Sequence, residues 1–409
     1  MTVNRRQQLP QAGAPVVLTP LLARFLAAAT AISVANLYYV QPLLRPISQS
    51  LGIAPATAGL LVTFSQLGYA LGLFTFVPLG DSTDRRKTIV ALLGAVTLFL
   101  LLVAVATPWW LLSVGAFLVG MTTVVPQIIV PLAADLAEPG RSGQAVGMVM
   151  SGLLLGILAS RVFSGYLAEW LGWRAVFAAG AVLSLGLIAG FLWLFPPLPP
   201  RSRMSYRELM GSIWRLVRTT PALREASLSG AALFAIFSAL WTTLALHLTA
   251  PPFHYGSGVV GLFGLAGLAG ATMASLAGRL ADRRPPEQQV AQAYLLTAVG
   301  VAILAVGGDH LIPLVIGVLV VDGGCMFGHV SNQSRVYQQN PEAKSRLNTV
   351  YMVIYFLGGS LGSWWALLVY QHWNWLGVTL LQLALAGAGY WLPRRIGGRS
   401  FIARRPANR

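Results

Sequence analysis

The chain of 409 residues is long enough for two or three soluble domains, but its composition excludes that class. Apolar residues make up 56% of the chain and charged residues only 10%, less than half the charged share of an ordinary globular domain. A net charge of +16 raises nucleic acid as a partner, so the location of the basic residues decides its meaning. The single cysteine, Cys325, excludes an internal disulfide.

Twelve apolar runs follow one another along the chain, each long enough to cross a hydrocarbon layer about 30 Å thick. We predict spanning helices 1 to 12 near 22–44, 57–80, 87–106, 109–134, 144–167, 173–195, 224–249, 257–281, 289–307, 310–335, 346–370 and 375–393. The first run is too long for a cleaved signal peptide and lacks flanking small residues, so we expect it to remain as helix 1.

The basic residues indicate the orientation. Twelve spans place both termini on one side, and basic residues in short loops mark the cytoplasmic side. Of the 28 basic residues, Arg45 and Arg174 fall on the far side and Arg161 falls within a span, whereas all others fall on the side of the termini. We therefore expect a multi-pass protein of the bacterial cytoplasmic (inner) membrane with both termini cytoplasmic. Its charge then faces anionic membrane lipids, and no nucleic-acid partner is needed.

The longest cytoplasmic loop divides the chain near its middle. We predict an N-terminal six-helix bundle over 1–195, a central loop over 196–221, and a C-terminal six-helix bundle with a basic tail over 222–409. From Tyr206 onward, Leu209, Ile213 and Leu216 recur at helical spacing, which favours an amphipathic helix at the membrane surface. A solvated linker is the alternative.

The two halves share a pattern of short motifs. After helix 2 the chain reads Gly-Asp-Ser-Thr-Asp-Arg-Arg-Lys over 80–87, and after helix 8 it reads Gly-Arg-Leu-Ala-Asp-Arg-Arg over 278–284. Trp173 and Trp375 each open the last helix of a half. Six helices repeated in the same orientation are typical of a large transporter class, whose substrate site lies between the repeats near the membrane midplane.

The acidic-then-basic loops after helices 2 and 8 resemble the signature loop of the major facilitator superfamily. The end of helix 1 (36–44) and the stretch 332–359 resemble its bacterial, drug:proton antiporter-like branch. The resemblance implies an all-α integral membrane fold of twelve transmembrane helices in two parallel six-helix repeats, working as a monomer. It also implies a conformational switch in the signature loops, at Asp81, Arg85, Arg86, Gly278, Asp282 and Arg283.

Helix 10 carries the one acidic residue deep within a span, Asp322. A charged carboxylate there costs roughly 2.5–3.5 kcal/mol on insertion scales, so it needs a partner, a water-filled cavity or a proton. Arg161 of helix 5 is the one basic residue within a span, and the implied fold sets helices 5 and 10 across from each other. We expect Asp322 and Arg161 to couple proton movement to transport. The alternatives are an Asp322 that only fixes packing and an Arg161 that extends to the headgroups.

Polar and aromatic residues on helices 1, 4, 7 and 10 are candidates for the wall of a central cavity, where they would orient an organic substrate. They are Asn36, Tyr38, Tyr39, Gln41, Gln127, Trp241, Thr242 and His329. For each, a satisfied hydrogen bond between helices is the competing interpretation. Asn332 and Gln333, near the cytoplasmic end of helix 10, suit a gate or a packing role.

We expect a secondary transporter that exports a small organic compound against proton entry, with no cofactor and no metal. A proton-coupled importer or a uniporter stays open, because helix 5 lacks the Gly-Pro pair of many antiporters. A membrane-embedded enzyme would need a convergent nucleophile, base or metal cluster, and the sequence offers none.

Overall fold

The computed structural model describes residues 18–138, 140–198, 204–267, 270, 272–273, 276–277, 285–340 and 343–396. Within these residues the regular structure is helical and includes no strand. Helices α1 to α6 precede one amphipathic loop helix, and α7 to α12 follow it.

The first half contains six helices that pass back and forth through the bundle. They are α1 (Pro20–Tyr38 and Leu44–Leu51), α2 (Pro55–Ser82), α3 (Arg85–Val105), α4 (Trp109–Thr122 and Val125–Leu136), α5 (Ser142–Leu171) and α6 (Trp173–Leu194). Two of them are interrupted: a short 3-10 turn, Gln41–Leu43, divides α1, and a turn at Thr123 divides α4. Pro42 and Pro126 stand at these breaks and have no N–H to donate to the preceding turn.

The second half follows the loop helix Tyr206–Thr219. It contains α7 (Pro221–Thr249), the described start of α8 (Ser257–Leu262 and a 3-10 turn Phe263–Ala266), α9 (Pro286–Gly307) and α10 (Leu311–Tyr337). The helical stretch Lys344–Ile396 breaks at Asn374, where φ is 51° and ψ is −148°. It therefore comprises α11 (344–373) and α12 (375–396).

The loop helix is capped and held against the bundle. The Ser205 hydroxyl accepts from the Glu208 N–H. The Glu208 carboxylate accepts from the Ser205 N–H at 2.7 Å and from the Ser205 hydroxyl at 2.8 Å, and these two hydrogen bonds lower the pKa of Glu208. Leu209 and Ile213 are buried, whereas Trp214 is exposed. Thr220 alone separates this helix from Pro221 of α7. The central loop thus contains a helix at the predicted position, and its place at the membrane surface stays a prediction.

Ten of the twelve predicted spans agree with these helices to within a few residues; α1 extends seven residues beyond the first predicted span, and most of the second half of the eighth lies outside the described residues. Ten described stretches are long and apolar enough to cross a membrane; one of them, Lys344–Trp391, holds α11 and α12, and α8 is described only in part. The apolar surface matches a lipid environment, since Trp193 and Val306 are 89% and 92% exposed. By contrast, most of α7 is buried inside the bundle.

Candidate functional site

The buried carboxylate on α10 is held by an indole from α7. Asp322 and Trp241 are each 3% exposed, and the Trp241 Nε1–H donates to Asp322 Oδ1 at 2.9 Å. A hydrogen bond from a neutral donor partly compensates the carboxylate for its lost hydration without neutralising it. The negative charge of Asp322 thus depends on Trp241 and on the charges nearby.

Arg161 lies over the ring of the same indole. Its side chain is 2% exposed, and its guanidinium carbon lies 3.9 Å from the Trp241 ring centroid and 5.0 Å from that of Tyr38. The Arg161 Nε–H donates to Gln41 Oε1 at 2.6 Å. The aromatic faces attract the cation electrostatically. Arg161 therefore stays in the interior rather than extending to the headgroups.

Arg161 and Asp322 form no salt bridge in this conformation. The Arg161 guanidinium lies over the Trp241 ring, and the N–H of the same ring donates to the Asp322 carboxylate. We call Tyr38, Gln41, Arg161, Trp241 and Asp322 the central layer. It joins α1 and α5 of the first half to α7 and α10 of the second. The sequence predicted a pair of Arg161 and Asp322 that forms in one state and breaks in another, which stays a prediction, and it did not predict that the Trp241 indole contacts both groups.

The central layer is closed in this conformation. A void of about 10 Å³ lies among Gln41, Pro42, Arg161, Trp241, Leu244, Ala245 and Val260. That volume holds roughly one water molecule, so an organic substrate requires the helices to separate here.

Three other cavity candidates, Thr242 of α7, Gln127 of α4 and His329 of α10, bind side chains of neighbouring helices. The Thr242 hydroxyl shares a hydrogen bond of 2.9 Å with Ser363 of α11, and the Gln127 amide donates to the Tyr69 hydroxyl of α2 at 3.4 Å. His329 Nδ1 lies 3.0 Å from the Tyr351 hydroxyl. These contacts fit the competing interpretation of hydrogen bonds between helices, and a direct substrate role for them stays a prediction.

Asn36 and Tyr39 occupy a different face of α1. The Asn36 amide and the Tyr39 ring lie against Gly180 of α6, inside the first half, and Tyr39 also contacts Phe163. Tyr38 and Gln41, on the neighbouring face, are the α1 residues that contact Arg161. Near the far end of α10, Asn332 donates to Ser229 of α7 and Gln333 to Asn348 of α11, both within the second half.

An aromatic cluster between the halves was not predicted from the sequence. Phe234 of α7 stacks on Tyr355 of α11 with centroids 4.2 Å apart, and Phe356 contacts Tyr69 of α2 at 4.3 Å. Phe234, Phe237 and Trp241 recur at helical spacing on α7, so that periodicity was an available signal. The cluster adjoins the central layer and gives it an apolar, stacking wall.

One end of the bundle gathers Asp81, the start of α11 and the loop helix, and we call it the basic end. Here the Ser345 hydroxyl of α11 donates to Asp81 Oδ2 at 2.7 Å. Arg85 instead pairs with Asp135 of α4 at 2.6 Å, and Arg86 donates to the Leu192 carbonyl. Both arginines thus bind within the first half. Gly278, Asp282 and Arg283, the other predicted switch residues, lie outside the described residues.

The corresponding corner of the second half uses the opposite arrangement of charge. Arg335 at the end of α10 pairs with Glu225 of α7 at 2.9 Å and with Glu287 of α9 at 3.2 Å. In the first half the cation begins α3 and the carboxylate ends α4, whereas here the carboxylate begins α9 and the cation ends α10.

At the opposite end, α5 and α8 meet closely. The Glu169 carboxylate accepts from the Gly258 N–H at 2.7 Å, and the Ser257 hydroxyl donates to the Gly165 carbonyl at 3.3 Å. A Cβ on Gly261 would collide with the Arg161 carbonyl oxygen. Over the described residues no group of three or more His, Cys, Asp or Glu side chains could hold a metal ion.

Comparisons with known proteins agree with this architecture. The model of the Major Facilitator Superfamily matches residues 26–363. The putative uncharacterized transporter YgaY of Escherichia coli (strain K12) is 41% identical over 90% of this chain and 94% of its own. A probable transporter of Streptomyces coelicolor is 37% identical over 97% of this chain and 90% of its own.

Solved structures with this fold include a bacterial homolog to the human lysosomal transporter Spinster in an inward-facing, occupied conformation. Its TM-score is 0.72 at 12% identity, with 94% of this chain and 98% of that chain covered. The peptide transporter POT, solved with alafosfalin, gives a TM-score of 0.73 at 14% identity, covering 94% and 97%. The predicted fold of twelve helices in two parallel repeats is confirmed.

Proposed function

Because the chain belongs to the major facilitator superfamily, whose members are transporters, we propose that it exports a small organic compound in exchange for protons by alternating access. The observation that carries this proposal is the central layer: a buried carboxylate, Asp322, separated from a buried cation, Arg161, by one indole at the junction of the two halves. We further propose that the protein acts as a monomer in the inner membrane, with the basic end cytoplasmic.

Coupling requires that protonation changes which conformation is favoured. A charged Asp322 attracts Arg161 across the junction, and a protonated Asp322 does not. In our proposal the proton therefore weakens the attraction between α5 and α10, while the Trp241 hydrogen bond keeps the carboxyl group in position. Asp322 titrates as the central layer becomes accessible from alternate sides.

The two ends supply the alternation. We propose that the contact between Asp81 and Ser345 closes the basic end and that the contacts between α5 and α8 close the opposite end. Arg85 and Arg86 would act by fixing the start of α3, so that Asp81 is held at the right height. The start of α11 favours this carboxylate because its first N–H groups carry partial positive charge.

Import coupled to protons, or uniport, is the second candidate. The observation that favours it is the packing of α5 on α1, where Gly152 and Gly156 contact the backbone of Ala27 and Ala31 without a Gly-Pro break. The direction of proton movement on adding substrate separates the candidates: exchange moves protons against the substrate, import moves them with it, and uniport moves none.

The decisive experiment compares Asp322→Asn with the wild type in proteoliposomes. The compound is one that a deletion strain retains or becomes sensitive to. We expect Asp322→Asn to lose accumulation driven by an imposed pH difference, by at least tenfold, and to keep downhill exchange. Asp309→Asn, which changes an exposed aspartate just before α10, is the matched control and should accumulate normally. Full proton-driven accumulation by Asp322→Asn would contradict the coupling role.

A further inference from the structure

Two of the polar atoms of the central layer that no hydrogen bond among the described residues reaches belong to its two ionisable groups, Arg161 Nη2 and Asp322 Oδ2. Arg161 Nη2 is buried and unpartnered, although Nε of the same guanidinium binds Gln41. Asp322 Oδ1 binds Trp241, whereas no donor in the described part of the chain reaches Oδ2. One group can still donate to an anion and the other can still accept from a cation.

The unpartnered Arg161 Nη2 is unfavourable in the interior unless an acceptor reaches it during the transport cycle. A buried polar group without a partner destabilises the protein, and a charged group does so more strongly. The aromatic faces of Trp241 and Tyr38 attract the guanidinium, but they do not supply a negative charge. The most direct partner for Arg161 Nη2 is a carboxylate oxygen.

Glycines of α8 allow its backbone to pack closely beside both groups. A Cβ on Gly267 would lie 3.8 Å from Asp322 Oδ2, and a Cβ on Gly264 would lie 2.9 Å from the Arg161 Cβ. The same helix therefore passes both side chains without placing a side chain of its own against them at these two positions. If α8 moves away from α5 and α10, Arg161 and Asp322 both become more accessible.

We propose that the central layer binds a zwitterionic small molecule, with its carboxylate on Arg161 Nη2 and its protonated amine on Asp322 Oδ2. An apolar or aromatic group of the ligand packs against Trp241, Tyr38 and Tyr355. This inference rests on the proposed export site and names the substrate class for it.

Charge balance favours a zwitterion over an ion of either sign. When Asp322 is ionised, as it is once the proton has left, Arg161 and Asp322 together carry no net charge, and a zwitterion leaves that sum unchanged while it pairs both groups. A simple cation would pair Asp322 and bring a second positive charge beside an unpaired Arg161. A simple anion would do the reverse.

The same geometry gives the sign of the exchange. The amine of the ligand and a proton compete for Asp322, because a protonated Oδ2 cannot accept from an ammonium group. Binding to the protonated site therefore releases one proton, and the ligand leaves when a proton returns. Competition of this kind produces exchange rather than movement in the same direction.

The test uses matched probes on the purified full-length protein in nanodiscs, with no gradient. Each set has an amino acid, its amide and its deaminated acid: L-phenylalanine, L-phenylalaninamide and 3-phenylpropionate, and the corresponding leucine and tryptophan sets. We expect, in at least one set, that the zwitterion binds at least tenfold more tightly than either singly charged analogue. Binding should also release a proton detectable with a pH indicator.

Two variants identify the contacts. Asp322→Asn should lose the preference for the zwitterion over the deaminated acid, and Arg161→Gln should lose the preference over the amide. If Arg161→Gln does not fold, the relative affinities of the three probes for the wild type and for Asp322→Asn still test the inference. Equal or weaker binding of the zwitterion in all three sets would overturn the inference.

The result is separable from that of the transport experiment. Zwitterion preference together with proton-driven accumulation by Asp322→Asn would refute the coupling role and leave the binding site. Loss of accumulation by Asp322→Asn, with tightest binding by a cation or an anion, would refute only the zwitterion.

Discussion

The contact between α2 and α11 and the contact between α5 and α8 both join the two halves, but they are built from different groups. Along α2 and α11 the contact runs through side chains: Thr63 donates to Ser363, Ser360 donates to the Thr63 carbonyl, and Ser345 donates to Asp81. Between α5 and α8 the backbones themselves touch, at Gly261 and at Gly165.

The difference indicates how each contact separates. Hydroxyl hydrogen bonds can be exchanged for water as two helices part, so the α2–α11 contact can loosen gradually. Backbone contact at glycine depends on shape, and an added carbon abolishes it. The α5–α8 contact should therefore be either formed or absent. Each of the following variants changes one of these contacts.

Gly261→Ala should have the largest effect. The added Cβ meets the Arg161 carbonyl, and overpacking of this kind costs about 1–3 kcal/mol. Gly94→Ala is the control, because a Cβ there meets nothing within 4 Å and alanine favours a helix by about 0.5–1 kcal/mol. Thermal unfolding in detergent should therefore shift down for Gly261→Ala and slightly up for Gly94→Ala. Equal shifts would show that shape does not control the α5–α8 contact.

Ser363→Ala should have an intermediate effect. It removes the hydrogen-bond partner of both Thr63 and Thr242. We expect the free energy of unfolding to fall by only about 1 kcal/mol, because each threonine hydroxyl can instead donate to a backbone carbonyl of its own helix. Ser184→Ala is the matched control, since that buried serine donates only to its own helix at Gly180. A loss no greater than that of Ser184→Ala would show that the Ser363 hydroxyl does not stabilise the contact between α2 and α11.

Asp81→Asn should weaken closure of the basic end by about 0.5–1 kcal/mol, because the neutral amide loses the attraction of the α11 N-terminus. Transport should slow several-fold while the protein remains in the membrane. Spin labels at the exposed Gly143 and Lys344, in a Cys325→Ser background, should show a longer distance in the variant. An unchanged distance and an unchanged rate would contradict the predicted switch.

Glu169→Gln should have the smallest effect, because Glu169 is exposed and its amide replacement can still accept from the Gly258 N–H. We expect the free energy of unfolding, followed by thermal unfolding, to fall by less than about 0.5 kcal/mol. Spin labels at Trp110 and Val259 should keep their distance, since the glycine contact nearby holds the two helices. A large increase in the distance between the labels would show that the Glu169 carboxylate, rather than the glycine contact, holds this end closed.

Much of this architecture follows from the sequence because the bilayer sets the length of an apolar run. The same reasoning identified Asp322 and Arg161, since a charge inside a span is costly enough to be noticed. It could not predict Trp241 between them, because a tryptophan in an apolar helix looks the same whether it faces lipid or a carboxylate.

The faces of α1 illustrate a second limit. Asn36 and Tyr38 are two positions apart and point in different directions, one into the first half and one toward Arg161. Only the packing of α1 against α5 and α6 decides which face meets the junction. The pairing of Arg85 with Asp135 was likewise missed, because a basic loop residue gives no sign of a partner 50 positions away.

The loop helix has a mechanical consequence. Its 14 residues form a rod about 21 Å long, and Thr220 is its only joint with α7. A rigid helix of this kind transmits a change of orientation from one half to the other, whereas a flexible linker only limits the distance between the halves. Any tilt of the second half therefore changes the angle at Thr220 or moves the rod across the surface at Thr75, where Tyr206 rests. The loop helix thus couples a tilt of the second half to a movement along the surface of the first half.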